Sequence, residues 1–172
     1  WCCSTDSLTG SDKCNGQFSN CTTTRITEQD DGTLQATVDK TIDIIQRTTG
    51  PKILINTQPC TGGCSWNAIN GRTESGRAKI RGHLRLFDKL WKNFVEIAHS
   101  LDYSKGDRIL IEWPKGCMYW RLPKVEKFMK EFGLEQTHFD GCHFGLVSVV
   151  NGLPIKKPWT YGTNCKAISQ AF

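Results

Sequence analysis

Apolar positions follow two rhythms along this chain, helical stripes and short solid runs, and the two alternate. Leu34, Val38, Ile42 and Ile45 recur at helical spacing, and Gly50-Pro51 closes the segment, which predicts a helix ending near Thr49. Ile53, Leu54 and Ile55 then form a continuous apolar run, expected to be a strand covered on both faces, and it leads into the loop Gln58-Pro59-Cys60-Thr61-Gly62-Gly63. Between residues 77 and 101, Ile80, Leu84, Phe87, Trp91, Phe94, Ala98 and Leu101 alternate spacings of four and three, and Leu90 and Ile97 widen the stripe. The opposite face of this long helix carries Lys79, Arg85, Asp88, Lys89, Lys92 and Glu96, an ordinary solvated mixture of signs. Ile109, Leu110 and Ile111 predict a second buried strand, ending in Glu112-Trp113-Pro114. Pro123 stands where a first helical position belongs, Val125, Phe128, Met129 and Phe132 share a face, and Gly133 ends that helix. Residues 136–139 read as a short strand, and residues 145–150 and 154–163 as two arms around the Asn151-Gly152 turn.

Strands that alternate with helices need crossover connections, so the expected fold is α/β: a mostly parallel sheet with helices on both faces, followed by a C-terminal antiparallel hairpin. Residues 1–33 are rich in Ser, Thr, Asn, Asp and Gly, and residues 21–27 hold their one candidate strand. With 172 residues and no repeat, low-complexity tract or linker, the chain reads as a single domain 1–172, with an irregular segment 1–33 and an α/β core 34–172.

Twenty-two Lys and Arg against 17 Asp and Glu give a charge of +5, which favours an anionic partner. No apolar run reaches the roughly 18–20 residues of a membrane helix, and the start lacks a basic-then-apolar secretory pattern, so a cytoplasmic or nuclear protein without a membrane partner is expected. The first residue is Trp1, which points to a piece of a longer polypeptide. Nine cysteines are an odd number, so pairing all of them within one chain is excluded. Asn20-Cys21-Thr22 is a glycosylation sequon, and Cys2, Cys3, Cys14 and Cys21 crowd one end, so a secreted, disulfide-rich module stays open beside the default of reduced thiols. Cys60 and Cys64 lack a matching second pair and Cys142 abuts His143, so no metal is expected.

Ligands of open α/β sheets settle outside the carboxyl ends of strands, which singles out the loops after Thr27, Ile55 and Ile111. The second presents a thiol, Cys60, and the third a carboxylate, Glu112. A thiolate attacks an electron-poor carbon and a carboxyl holds or protonates a ring nitrogen, so the two make a nucleophile and acid pair. A simply buried Cys60, and a Glu112 paired with Lys115 or Arg121, are the plain alternatives. Further on, Lys115, Arg121, Lys124, Lys127, Lys130, Lys156 and Lys157 interleave with Trp113, Tyr119, Trp120, Trp159 and Tyr161. Rings that stack on bases and cations that neutralise phosphates suit a single-stranded or flipped-base nucleic acid, although core tryptophans and a solvated lysine face would read alike. His83 and His99 fall on the flank of the long helix, while His138 and His143, either side of Asp140, are structural or proton-carrying.

In this order of elements the chain resembles the DNA methyltransferases that modify carbon 5 of cytosine. Pro59-Cys60, followed by Ser65 and Trp66, is similar to the family's Pro-Cys motif at a strand end, and Ile111-Glu112-Trp113-Pro114 to its Glu-Asn-Val motif after a comparable long helix. Phe144-Gly145-Leu146 with Lys156-Lys157-Pro158 is similar to its late hairpin, so the likeness covers residues 52–164. The resemblance implies a Rossmann-like core, S-adenosylmethionine held by Cys3, Ser4, Asp6, Gly10, Glu28 and Pro59, a Cys60 nucleophile and a base-holding Glu112. It also implies nucleic-acid contacts from Lys115, Arg121, Lys156, Lys157 and Trp159. The chain departs from the family in having one Gly between Cys2 and Gly10, Trp113 in place of Asn, and no room for a target-recognition domain. Those departures leave a second expectation, a reduced, inactive descendant that binds nucleic acid or a protein. Trp113-Pro114 and Lys157-Pro158-Trp159 are also similar to segments of retrotransposable-element polyproteins.

Overall fold

The computed structural model describes residues 21, 23–27 and 29–172. Among the described residues of the candidate strand at 21–27 no strand forms: Thr27 opens a turn, with the Asp30 N–H donating to its carbonyl at 2.9 Å, and Ile26 is buried in the core instead. The first helix, α1 (Gln35–Arg47), follows the Leu34 stripe, and β1 (Ile53–Asn56) follows the apolar run. A one-turn helix, α2 (Asn67–Asn70), precedes α3 (Glu74–His99), whose cap is Thr73: its hydroxyl oxygen accepts from the Gly76 N–H at 3.0 Å. Gly76 also has a steric reason, since a Cβ there would lie 1.8 Å from the Asn70 carbonyl oxygen. Next come β2 (Arg108–Pro114), α4 (Pro123–Glu131), with Pro123 in its first turn, and β3 (Glu135–Asp140). The chain ends with β4 (Pro158–Thr163) and α5 (Lys166–Ala171), a short helix without a sequence signal strong enough to be expected.

The four strands form one sheet in the order β1-β2-β4-β3. The architecture is α/β, as expected, but the sheet is mixed. β1 and β2 run parallel with Asn56 opposite Ile111, whereas β4 is antiparallel to both β2 and β3. The cause is the Asn151-Gly152 turn. Gly152 takes φ +69°, and the Val147–Pro154 bridge folds the chain back, so β4 returns against the direction of β3 and enters between β3 and β2. The expected hairpin is therefore present, with one bridge in its outer arm and its long return strand serving the sheet.

The expectation of helices on both faces is met only in part, because the longer helices gather on one of them. Leu54, Ile109, Ile111 and Trp113 share one core cluster with Val38 of α1, Phe87, Trp91 and Phe94 of α3, and Val125 and Phe128 of α4. The opposite face bears Ile53 and Ile55, exposed by 49% and 38%, so β1 alternates rather than being covered on both sides. Over the far end of that face, Phe172 lies 4.8 Å from the Phe139 ring and 4.9 Å from Tyr161, and the short α5 is the described cover there. No helix among the described residues is long and apolar enough to cross a membrane.

Asp107 fixes where β1 and β2 begin. Its fully buried carboxylate accepts from the Lys52 N–H and the Asp102 N–H, both at 2.9 Å, and lies 3.3 Å from the Lys52 ammonium. Beside it the Arg108 N–H donates to the Lys52 carbonyl at 2.8 Å, which starts the parallel ladder in register. Asp107→Ala strands two donors, at about 1–3 kcal/mol each when buried. A clear fall in the denaturant midpoint is expected, smaller for Asp107→Asn, which keeps one acceptor oxygen; chemical unfolding of the three proteins checks this.

Candidate functional site

The loop after β1 is held from three sides. Gln58 is buried, its side-chain amide donates to the Leu90 carbonyl of α3 at 3.0 Å, and its own carbonyl accepts from the Trp113 indole N–H of β2 at 3.0 Å. Cys60 follows on a turn closed by the Gly63 N–H donating to the Cys60 carbonyl at 2.9 Å. The Asn67 amide then ties down the Thr61 and Gly62 carbonyls, both at 2.9 Å. The two glycines sit hard against Tyr119, so a Cβ at Gly62 would fall 2.5 Å from its hydroxyl oxygen. One at Gly63 would fall 2.7 Å from its ring and 2.8 Å from the Cys117 sulfur. The segment that reads as a flexible turn is a clamped one, and Gly62-Gly63 serves close packing. At its root, Asn56 Nδ2 and Gln58 Oε1 are buried without hydrogen-bond partners, an uncompensated polar cost of a kind met at functional sites.

The parallel register brings the second candidate to the same rim. Asn56 pairs with Ile111, so Glu112 is the next residue of β2, opposite Tyr161 of β4. The Lys157 ammonium acts on both candidates, favouring thiolate at Cys60 and carboxylate at Glu112. In each case burial is the larger effect and runs the other way: it pushes the Cys60 thiol up, helped by Cys64, and pushes the Glu112 carboxyl above the usual glutamate range. The Tyr161 phenol is raised by burial and then by Glu112. The Lys157 ammonium itself stands 4.3 Å over the Trp159 ring. Neither Lys115 nor Arg121 forms an ion pair with Glu112, so that plain alternative is set aside.

Cys117 was not anticipated. It follows β2, is buried beside Gly63, and is pushed up to about 12 by burial, with Cys60 and Cys64 as further causes, so three thiols share this rim. Its place in the loop after β2 was the available signal, since that loop must open at the same sheet end as Cys60. Among the described residues no group of three His, Cys, Asp or Glu is placed to hold a metal ion, and Cys21, Cys60, Cys64, Cys117, Cys142 and Cys165 are free thiols.

The basic and aromatic residues divide. Trp113, Tyr119 and Trp120 are buried and belong to the core, where Phe87 stacks on Tyr119 at 3.7 Å and Trp113 meets Trp120 at 4.8 Å; they offer no stacking platform. Trp159 and Tyr161 are half-buried, and Trp66 is exposed by 66%, a ring the nucleic-acid reading passed over. Lys124 is paired with Asp88 and stands over Phe87, and Lys156 lies 3.7 Å from Asp140. Lys115 and Arg121 instead line a groove of about 620 Å³ with Trp120, Glu126, Gln136 and His138. The Lys115 N–H donates to the Pro158 carbonyl at 3.1 Å, which makes the groove and the Lys157–Trp159 pair neighbours on one rim. His138 is fixed by Thr160 Oγ1 at 2.7 Å, His143 packs against Phe144, His99 lies 3.4 Å from Glu131, and His83 backs Gly62.

Of the residues expected to hold the cofactor, Cys3, Ser4, Asp6, Gly10 and Glu28 lie outside the described residues, as do Cys2, Cys14 and the sequon residues Asn20 and Thr22. Pro59 is described and exposed; it has no N–H to donate. No protein-family model matches the chain, and neither a curated protein nor a solved structure does.

Gly63→Ala forces its methyl group into the Tyr119 ring, so a loss of about 1–3 kcal/mol is expected. Gly82→Ala, in α3 where an added Cβ meets nothing within 4 Å, is expected to gain up to about 1 kcal/mol. Thermal unfolding of the pair separates crowding from generic glycine effects. Glu112 gives a pH signature. Its carboxyl binds a proton more tightly folded than unfolded, so stability falls as pH rises from the ordinary glutamate value, about 4.3, through the higher folded one. Glu112→Gln is expected to unfold later than the parent at pH 7–8, the gap closing towards pH 4; a gap independent of pH counts against a half-buried, charged Glu112.

Proposed function

We propose that the chain is a methyltransferase-type domain that acts on nucleic acid, with Cys60 as the nucleophile, Glu112 as the group that holds the base, and S-adenosylmethionine as the methyl donor. The observation that carries the reading is the pairing of a Pro-Cys loop and a half-buried glutamate at the carboxyl ends of two adjacent parallel strands, under one shared ammonium, Lys157. The resemblance to cytosine-5 methyltransferases supplies the Rossmann-like character, beyond the plain mixed α/β sheet. In this reading the Cys60 sulfur, its proton released to water, bonds to an electron-poor ring carbon, and the Glu112 carboxyl gives its proton to the ring nitrogen that receives the displaced electron pair. A carboxyl raised by burial suits that donation near neutral pH. The cofactor when bound supplies the methyl group. Lys115, Arg121, Lys156, Lys157 and Trp159 meet phosphate and base along the rim.

The second reading is a domain of the same ancestry that binds nucleic acid without catalysis. What favours it is the Cys60 thiol, raised by burial and by Cys64 where a ready nucleophile is lowered.

Calorimetric titration of the intact chain with S-adenosylmethionine separates the two. With cofactor bound, Cys60→Ser is expected to cut methyl transfer to a single-stranded oligonucleotide by roughly a thousandfold or more and to leave oligonucleotide binding unchanged. Binding without cofactor affinity supports the second reading. Affinity for the oligonucleotide must fall with salt, with a logarithmic slope of about −0.7 per phosphate contacted, and a flat response removes both.

A further inference from the structure

The groove beneath Lys115 is not used by Cys60 or Glu112, and its lining is unlike a solvated face. Lys115 and Arg121 are both exposed and, among the described residues, enter no ion pair, whereas Lys124 and Lys156 nearby are matched with Asp88 and Asp140. The same groove is lined by Gln136 and His138, neighbours on one face of β3. The Gln136 amide nitrogen reaches only the Met129 sulfur, at 3.8 Å, which leaves its carbonyl oxygen open, and the His138 ring is oriented by Thr160 through Nδ1, which leaves Nε2 open. Met118 and Trp120 add apolar surface to the lining. Two cations, a set of hydrogen-bonding groups and apolar surface in one groove, with Glu126 also in its lining, fit the three parts of a nucleotide. The volume of about 620 Å³ lies within the range of small-ligand sites.

We propose that this groove seats one nucleotide of the bound strand next to the reacting one: Lys115 and Arg121 hold its phosphate, and Gln136 and His138 read the edge of its base. The inference rests on the nucleic-acid reading and extends it, because it gives the protein a sequence preference at a single flanking position. Phosphate contacts alone place a strand without reading it, whereas an amide and an imidazole aimed at a base edge distinguish donors from acceptors. Continuity with the site comes through the main chain, since Lys115 is bonded to Pro158, between Lys157 and Trp159.

The test uses the intact chain, isotopically labelled, titrated with each of the four nucleoside 5′-monophosphates, and in parallel with ten-nucleotide single strands varied at one position. Expected are amide shifts confined to residues 115–121 and 136–138, and affinities that differ at least fivefold among the four bases. Lys115→Ala with Arg121→Ala is expected to weaken all four by tenfold or more. Gln136→Ala with His138→Ala is expected to keep the phosphate affinity and bring the four bases within twofold. All four side chains are exposed, and Gln136→Ala alone serves as the check should loss of the His138–Thr160 bond disturb β3. Single strands that bind with a salt slope while the monophosphates shift no groove residue, or bind equally well whatever their base, overturn the inference and leave the nucleic-acid reading standing. Single strands that do not bind at all overturn both. Monophosphates that bind the groove with no strand affinity mark a free-nucleotide site and overturn the inference as stated.

Discussion

A single buried hydrogen bond couples the two halves of the candidate site: the Trp113 indole N–H donates to the Gln58 carbonyl. Trp113 is 1% exposed and stands among Phe87, Trp91, Tyr119 and Trp120, so its ring cannot shift without disturbing α3 and the turn after β2. Gln58 is equally constrained through Leu90. The bond is worth only about 1 kcal/mol net, but leaving either group unpaired in this layer costs about 1–3 kcal/mol. That asymmetry means Cys60, two residues beyond Gln58, and Glu112, one residue before Trp113, are positioned by the core rather than by their own contacts. The close approach of Gly62 and Gly63 to Tyr119 follows from the same clamp.

Such a clamp has an electrostatic consequence. Holding the Cys60 loop against aromatic rings takes the thiol partly out of water, and the same burial acts on Glu112, Cys117 and Tyr161, so four acids at one rim all favour their protonated forms. Lys157 is the cation that opposes this at both Cys60 and Glu112. The two roles in the proposed chemistry therefore respond oppositely to one environment: a proton-donating carboxyl gains from burial, while a thiolate nucleophile loses.

The sequence was most legible where one physical requirement dominated. The stripe through Phe87, Trp91, Phe94 and Ala98 marks α3 because a long surface helix must bury one face, and Pro123 marks the start of α4 because its missing N–H is harmless there. Asn151-Gly152 marks a reversal because Gly152 takes positive φ cheaply. The same residues do not say where the returning strand docks, and β4 went between β2 and β3, which turned an expected parallel sheet into a mixed one. Composition also cannot separate a ring used for packing from one used for stacking. Trp113, Tyr119 and Trp120 alternate with cations in sequence, yet burial claims all three and leaves Trp159 and Tyr161 for the rim. That the loop bearing Cys60 and the strand end bearing Glu112 share a sheet edge was legible because adjacent parallel strands end together; Cys117 was overlooked because a thiol without a motif carries no pattern.

The mixed topology is what assembles the rim. Had the chain after β3 crossed over to add a parallel strand, its lysines would have entered at the opposite end of the sheet from Cys60. By returning antiparallel, β4 begins where β2 ends, with Pro114 opposite Trp159. Lys157, immediately before that strand, is thereby delivered to the edge where the loops after β1 and β2 emerge. The same return sets Thr160 behind His138 and Gly162 against Trp120, where a Cβ would come within 3.1 Å of the ring. One reversal thus supplies the ammonium shared by Cys60 and Glu112, the partner that orients a groove-lining histidine, and the close strand packing behind them. Each of these depends on β4 occupying the position between β2 and β3, so the departure from a parallel sheet is the feature on which the chemistry of the rim rests.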